Sequence, residues 1–435
     1  MSSGERLRAA LSLVFRGDLD GVARKVSGYL TGRAPALPRN LSPVRRPAAP
    51  QAPRPLRSKS LIWMMGPSFE RSGAPASQFE LACGLSDAGF DVRILAGRDG
   101  PMRTACADAG IDARVLPEMI CSAAAPALYS EDVSRLARTL REAAPDCIIA
   151  STIDAFPVID AARLAGIASI WNIRESEPWR ERLADRHKRI AAYALGALSY
   201  PAQLVFVSES SRAAFAEFAP AERSRVIYNA PSPSLERPSP NRLAELRAAA
   251  GVSDGGQLIV SVGTLCPRKG QTDLAAALGR LAPEIATRVH VAFVGATEPA
   301  YETDVRNRLP ASFKERVRFA GLSDEGAAWI AAADILVNTS RSEAFPRTFL
   351  EAAVMGTPII ASAVDGANER LRDGVSALLY PPGDINALAA RITQLVDDQA
   401  SGSALAAAAR ADLSGSWTWE AMVEAYARLL LRAAR

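Results

Sequence analysis

The chain has 435 residues, a formal net charge of +4, 49% hydrophobic and 23% charged residues, which calls for two or three domains of ordinary globular composition. So small a charge on so long a chain leaves no basic stripe, and nucleic acid is excluded as an expected partner. Five scattered cysteines with no C-x-x-C pair suit reduced thiols, and only two histidines, His187 and His290, exclude a His-rich metal site.

Residues 5–30 carry Leu7, Leu11, Val14, Val22, Val26 and Leu30 at helical spacing between Arg and Lys, which predicts a small helical hairpin; a basic amphipathic foot on a membrane surface is the alternative. The proline-rich text between Ala34 and Arg57 reads as a linker, so residues 1–57 form one N-terminal segment. The apolar cluster LSLVF is too short for a signal peptide, and no uninterrupted apolar run of about 18 residues predicts a transmembrane helix. A cytoplasmic location is expected, with peripheral membrane contact only through the N-terminal segment.

Regular structure begins with SLIWMM (60–65), a buried strand, followed by the helix SQFELACGLSDAG and the strand FDVRILA. A helix ahead of Pro145, the strand CIIAS, the helix VIDAARLAG and the strand IASIWNI continue the alternation. After one more helix come the strands QLVFVS and SRVIYN. Strands separated by helices of this length mean a mostly parallel sheet covered on both faces, here over residues 58–232. The joint PSPSLERPSPNRL precedes a second such unit, residues 233–413, with the strands QLIVSVG, VHVAFVG, RVRFAG, ADILVNTS, TPIIAS and ALLYP. A last helix within 414–435, TWEAMVEAYARLLL, places Met422, Tyr426 and Leu429 at core spacing; it is expected to pack back toward the first domain. The expected fold is α/β, two Rossmann-like doubly wound domains facing across a cleft, where ligands bind at the carboxyl ends of the strands.

Two stretches of the second unit carry chemistry. The loop GTLCPRKGQ leaves a strand and enters a helix: Gly263 and Gly270 permit tight turns, while Arg268 and Lys269 add charge to the helix amides, so an anion such as a pyrophosphate is favoured. In SEAFPRTFLEAAVMG, Pro346 belongs in the first turn of a helix running from about Arg347 to Val354 and ended by Gly356. Glu343 then hangs above the helix start and Glu351 lies one turn inside it, a geometry suited to a nucleotide sugar. A bland reading, two surface acids and a solvated turn, is available for each stretch alone.

Taken together with AFVGA, RFAGL and AADILVNTS, in this order, the chain resembles the retaining nucleotide-sugar glycosyltransferases of the GT-B fold, the fourth-family group with an E-x7-E signature. The resemblance runs from about residue 60 to 427. It implies that Arg268 and Lys269 meet the donor pyrophosphate, that Glu351 binds ribose, and that Glu343 lies near the transferring sugar. Gly263, Thr264, Gly295 and the backbone of Ala344, Phe345, Pro346, Arg347 and Thr348 would line the donor, with Gly321 and Leu322 near the base. In the first unit, SGAPAS around Gly73 resembles the glycine loop facing phosphate and acceptor, here with one glycine where the family has two. Thr264 stands where the family often has Arg, and WNIRESEP replaces a family histidine, which makes Asn172, Arg174 and Glu175 the acceptor-side candidates. The implied activity is sugar transfer without a metal or other cofactor, from a UDP-, GDP- or ADP-sugar to a glycan or glycolipid in polysaccharide assembly. A non-catalytic scaffold of the same fold and a sugar-nucleotide epimerase are the alternatives; a nicotinamide dehydrogenase would need G-x-G-x-x-G after the first strand, and it is absent.

Overall fold

The computed structural model describes residues 60–121, 126–177, 182–183, 186–414 and 417–433. The hairpin and linker predicted for residues 1–57 lie outside the described residues. The first unit runs β1 (Leu61–Ser68), α1 (Gly73–Asp87), β2 (Asp91–Arg98), α2 (Met102–Asp108), β3 (Asp112–Val115), α3 (Pro126–Ala143) and β4 (Cys147–Ser151). It continues α4 (Phe156–Ala165), β5 (Ala168–Ile173), α5 (Lys188–Ala197), β6 (Gln203–Phe206), α6 (Glu209–Ala214) and β7 (Ser224–Val226). The second runs α7 (Pro240–Ala249), β8 (Gln257–Val262), α8 (Gln271–Leu278), α9 (Pro283–Ala286), β9 (Val289–Val294), α10 (Pro299–Arg308), β10 (Val317–Gly321) and α11 (Gly326–Ala332). Then come β11 (Ile335–Asn338), α12 (Arg347–Met355), β12 (Ile359–Ser362), α13 (Asp365–Arg370), β13 (Leu378–Tyr380), α14 (Ile385–Asp397), α15 (Gln399–Ser414) and α16 (Trp419–Ala433).

The first sheet has the order β3-β2-β1-β4-β5-β6-β7 and the second β10-β9-β8-β11-β12-β13. Every pairing is parallel, with Ile62 beside both Val92 and Cys147, and Val260 beside both Ala292 and Leu336. The strands read as they do because of their place. Central β4 (CIIAS) and β9 (VHVAFV) are buried at every position, since helices cover both faces. Edge strands β3 (DARV) and β10 (VRFAG) keep charged residues and are partly exposed. Each order reverses once, between β1 and β4 and between β8 and β11, and those reversals are where such sheets open a crevice. The result is a two-domain Rossmann-like α/β fold.

The chain divides into two compact units, one up to Tyr228 together with Glu420 onwards, the other Asn229–Trp419. Helix α16 buries Met422, Val423, Tyr426, Leu429 and Leu430, each worth roughly 1.5–3 kcal/mol when fully removed from water. In the first core Trp171 is fully buried and its indole N–H donates to the Thr152 carbonyl at 2.7 Å. The second core centres on Phe293, Phe313 and Tyr380.

One buried acid makes the first unit sensitive to pH. Asp160 on α4 is 1% exposed and accepts the Tyr129 hydroxyl from α3. Burial pushes its carboxyl up from 3.8 to about 6, against the pull of Tyr129 and Arg163. The folded form therefore holds a proton that the unfolded chain releases between those values. Stability falls as pH rises from 3.8 to about 6, by roughly 3 kcal/mol from this group. Asp160→Asn should flatten that part of a melting-temperature profile; an unchanged slope would show that the group does not titrate there.

Candidate functional site

At the reversal of the second sheet, the loop after β8 meets the loop after β11. Arg268 and Lys269 lie in a 3-10 turn, Pro267–Lys269, and Gly270 caps α8. The two cations thus precede the helix rather than occupying its first turn. Gly270 has φ 65°, and a Cβ there would sit 2.3 Å from the Thr339 carbonyl oxygen, so glycine is what lets the turn press against the end of β11. The two loops are then stitched together. The Thr339 hydroxyl donates to the Lys269 carbonyl at 2.8 Å and the Arg341 N–H to the Arg268 carbonyl at 2.7 Å. The Arg341 guanidinium donates to Asp273, in the first turn of α8, at 2.7 Å.

This stitching brings Glu343 onto the basic turn. Its Oε2 accepts from Lys269 Nζ at 2.5 Å, the Ser340 hydroxyl at 3.1 Å and Arg268 Nη1 at 3.3 Å. Burial alone would raise the Glu343 carboxyl; Lys269 and Arg268 outweigh it and hold the group below the ordinary carboxylate range. Two cations against one anion leave the turn net positive.

Helix α12 starts at Arg347, the expected residue, and runs to Met355, with Pro346 just outside its first turn. Pro346 is its N-cap, with φ −66° and ψ 129°, because that extended ψ turns the chain out of the loop before helical geometry begins at Arg347. Gly356, left-handed at φ 73°, ends it. Ala344, Phe345 and Pro346 are buried, and Arg347 and Thr348 half-buried, at this opening. Glu351 lies one turn in, its side chain 16% exposed and 3.7 Å from the Arg347 guanidinium.

Gly263, Gly295 and Gly321 stand at the carboxyl ends of neighbouring strands β8, β9 and β10. The Gly263 N–H donates to the Val294 carbonyl and that of Gly295 to the Gly321 carbonyl, both at 2.8 Å. Thr264 is exposed beside them and Leu322 is 56% exposed. The second-unit residues singled out from sequence thus share the carboxyl end of one sheet.

In the first unit Gly73 is not in a loop but opens α1, because Ser72 in extended geometry caps the helix four residues earlier than the apolar spacing suggests. Arg174 donates to the Ser77 hydroxyl of α1 at 2.9 Å. Glu175 Oε2 accepts the backbone N–H of Ile153 at 2.9 Å and of Arg174 at 3.0 Å, so this carboxylate ties the loops after β4 and β5 together. Burial raises it to about 7, opposed by those N–H groups and Arg182. Asn172 is 4% exposed with Oδ1 unsatisfied, as are Gln78 Nε2 and Thr152 Oγ1. Thr152 also takes a positive φ of 74°. Gln78 and Thr152 gave no signal in the sequence, because only the packing around the ends of β1, β4 and β5 leaves their polar atoms unpaired.

Among the described residues no group of three or more His, Cys, Asp or Glu side chains is placed to hold a metal ion. Family comparison accounts for both units: residues 72–230 match the glycosyl transferase 4-like domain and residues 256–398 match glycosyl transferases group 1. The chain belongs to the GT-B glycosyltransferases. This glycosyltransferase is 31% identical over 186 residues to the lipopolysaccharide core biosynthesis glycosyltransferase LpsE of Rhizobium meliloti, covering 42% of this chain and 52% of the relative. It is 29% identical over 201 residues to a Corynebacterium glutamicum protein, covering 44% of this chain and 51% of that one. That relative is a GDP-mannose-dependent monoacylated alpha-(1-6)-phosphatidylinositol monomannoside mannosyltransferase. The chain spans about half the length of these curated relatives. Its fold is that of Anabaena HepE crystallised with UDP-glucose, at TM-score 0.73 and 23% identity over 85% of this chain and 99% of that one.

Proposed function

We propose that the chain moves a sugar from a nucleotide-sugar donor to a hydroxyl of a glycan or glycolipid, with retention at the anomeric carbon, in bacterial polysaccharide or glycolipid assembly. The observation that carries this reading is the Arg268–Lys269 turn closed on Glu343 at the reversal of the second sheet. As the bond from the anomeric carbon to the phosphate oxygen breaks, charge grows on the departing diphosphate. Arg268, Lys269 and the amides at the start of α12 stabilise it where it develops. Glu343 fixes the Lys269 ammonium and presents its own carboxylate beside the transferring sugar. Glu351 accepts the ribose hydroxyls, and the backbone of Gly263, Thr264 and Gly295 lies along the phosphates. Gly321 and Leu322 border the base. The acceptor belongs to the first unit, where Asn172 and Arg174 are the groups to meet it. Support for the donor class comes from relatives described as GDP-mannose-dependent and from a fold neighbour crystallised with UDP-glucose.

A thermal-shift panel of UDP-, GDP- and ADP-sugars tests the reading. The true donor at a hundred times its Kd should add about 2.7 kcal/mol of stability, and a panel without any shift would count against it. Two guanidinium and ammonium charges occupy the role that a divalent cation would otherwise fill on the diphosphate. Turnover of the identified donor should therefore survive EDTA, and its abolition would put a metal back into the chemistry.

A further inference from the structure

Resting on that reading, we propose that Asp365, which no sequence signal singled out, is a positioning residue that holds Glu343 against Lys269. Its Oδ2 accepts the Glu343 N–H at 3.0 Å and the Ser342 hydroxyl at 2.9 Å. The next residue completes a clamp: the Gly366 N–H donates to the Glu343 carbonyl at 3.1 Å. Both backbone groups of Glu343 are thus taken by two consecutive residues, leaving its side chain aimed at the basic turn. The approach is too close for anything but glycine at 366, where a Cβ would lie 1.7 Å from the Ala344 carbonyl oxygen. Asp365 itself has φ 32°, a conformation that L-residues disfavour. Glycine at 365 would suit the backbone and abolish the side-chain half of the clamp; aspartate does the reverse. Strain at this point therefore fixes the register between a carboxylate and an ammonium that are 74 residues apart in the chain.

The chain offers a direct readout, because it has five lysines, Lys25, Lys59, Lys188, Lys269 and Lys314. Lys188 and Lys314 are exposed. Under pulsed acetylation followed by peptide mass spectrometry, wild-type Lys269 should react slowly relative to Lys314, because its side chain is only 16% exposed and its Nζ is engaged by the Glu343 carboxylate. Asp365→Gly should raise the Lys269/Lys314 ratio about fivefold, toward the value for Glu343→Gln. Asp365→Asn keeps an oxygen that can accept both bonds and tolerates the same φ, so it should stay within about twofold of wild type. The melting temperature of Asp365→Gly should hold or rise, while kcat for the identified donor falls about tenfold with KM little changed. An unchanged labelling ratio in Asp365→Gly, equal labelling of the Gly and Asn variants, or a melting temperature that drops with the Gly change would each overturn the proposal. Labelling needs no donor, so a wild type that turns over no nucleotide sugar would defeat the transfer reading while the clamp is still decided by its own measurement.

Discussion

Lys269→Ala is expected to lower turnover about a hundredfold, some 2.7 kcal/mol of transition-state stabilisation. On the proposed reading the ammonium faces the departing diphosphate, and Arg268, the other cation of the turn, has a side chain 44% exposed against 16% for Lys269. Water screens the exposed guanidinium more, so it cannot replace what the ammonium supplies. The substitution has a second effect that must be separated from the first. It leaves the Glu343 carboxylate buried with only Arg268 and Ser340, which should cost roughly 3 kcal/mol of stability at neutral pH. The sign can be checked by pH. In the wild type the depressed Glu343 group contributes stability above the ordinary value of 4.5, lost as pH falls through its lower folded value. In the variant burial dominates, the folded value moves up, and stability is regained on acidification. The melting-temperature gap between the two proteins should therefore narrow from pH 7 toward pH 4. Adding Glu343→Gln to Lys269→Ala should restore the melting temperature and not the turnover. Normal turnover in the single variant would remove Lys269 from the chemistry.

Glu351→Ala should weaken donor binding about a hundredfold with a smaller change in turnover at saturation. Two charge-assisted hydrogen bonds to a ribose diol are worth roughly 1.5–3 kcal/mol each when made, less the cost of parting the carboxylate from Arg347. In the proposed role the contact would be the same before and during bond breaking, so its loss should fall on binding rather than on the chemical step. Calorimetry should show the nucleotide sugar and the free nucleoside diphosphate losing affinity by the same factor, since both carry the ribose. Inorganic diphosphate should bind the variant as it binds the wild type. Unchanged affinity for the nucleotide sugar would end the ribose assignment.

The sheets could be read from sequence because parallel strands buried on both faces leave continuous apolar runs, and CIIAS, VHVAFV and TPIIAS have no other good home. What escaped lies at the edges and in the loops. The four residues of β3, DARV, with α2 before it, give no apolar run, since an edge strand keeps one side in water. The short helix α6 begins at a Ser208 cap that looks, in the letters alone, like part of the strand QLVFVS. Within the site, Lys269 and Glu343 were legible as residue types, but their ion pair depends on the β8–β11 pairing, which no local pattern encodes. Asp365 was hidden for the same reason. Nothing local in VDGANE marks its carboxylate, and only the fold sets it under the Glu343 amide. Glu175 could be picked out, yet its carboxylate is spent on backbone N–H groups that sequence does not place beside it.

The return of α16 to the first unit makes the second unit, Asn229–Trp419, an insertion within the first. On a ribosome the inserted unit emerges whole while its host still lacks the helix that carries Met422, Val423, Tyr426, Leu429 and Leu430. The earlier-made half must wait for the later-made one to clear the exit tunnel, with the apolar surface that α16 will cover left bare in the meantime. Vectorial synthesis thus exposes the amino-terminal half of this protein to chaperones and proteases for longest, although it is translated first.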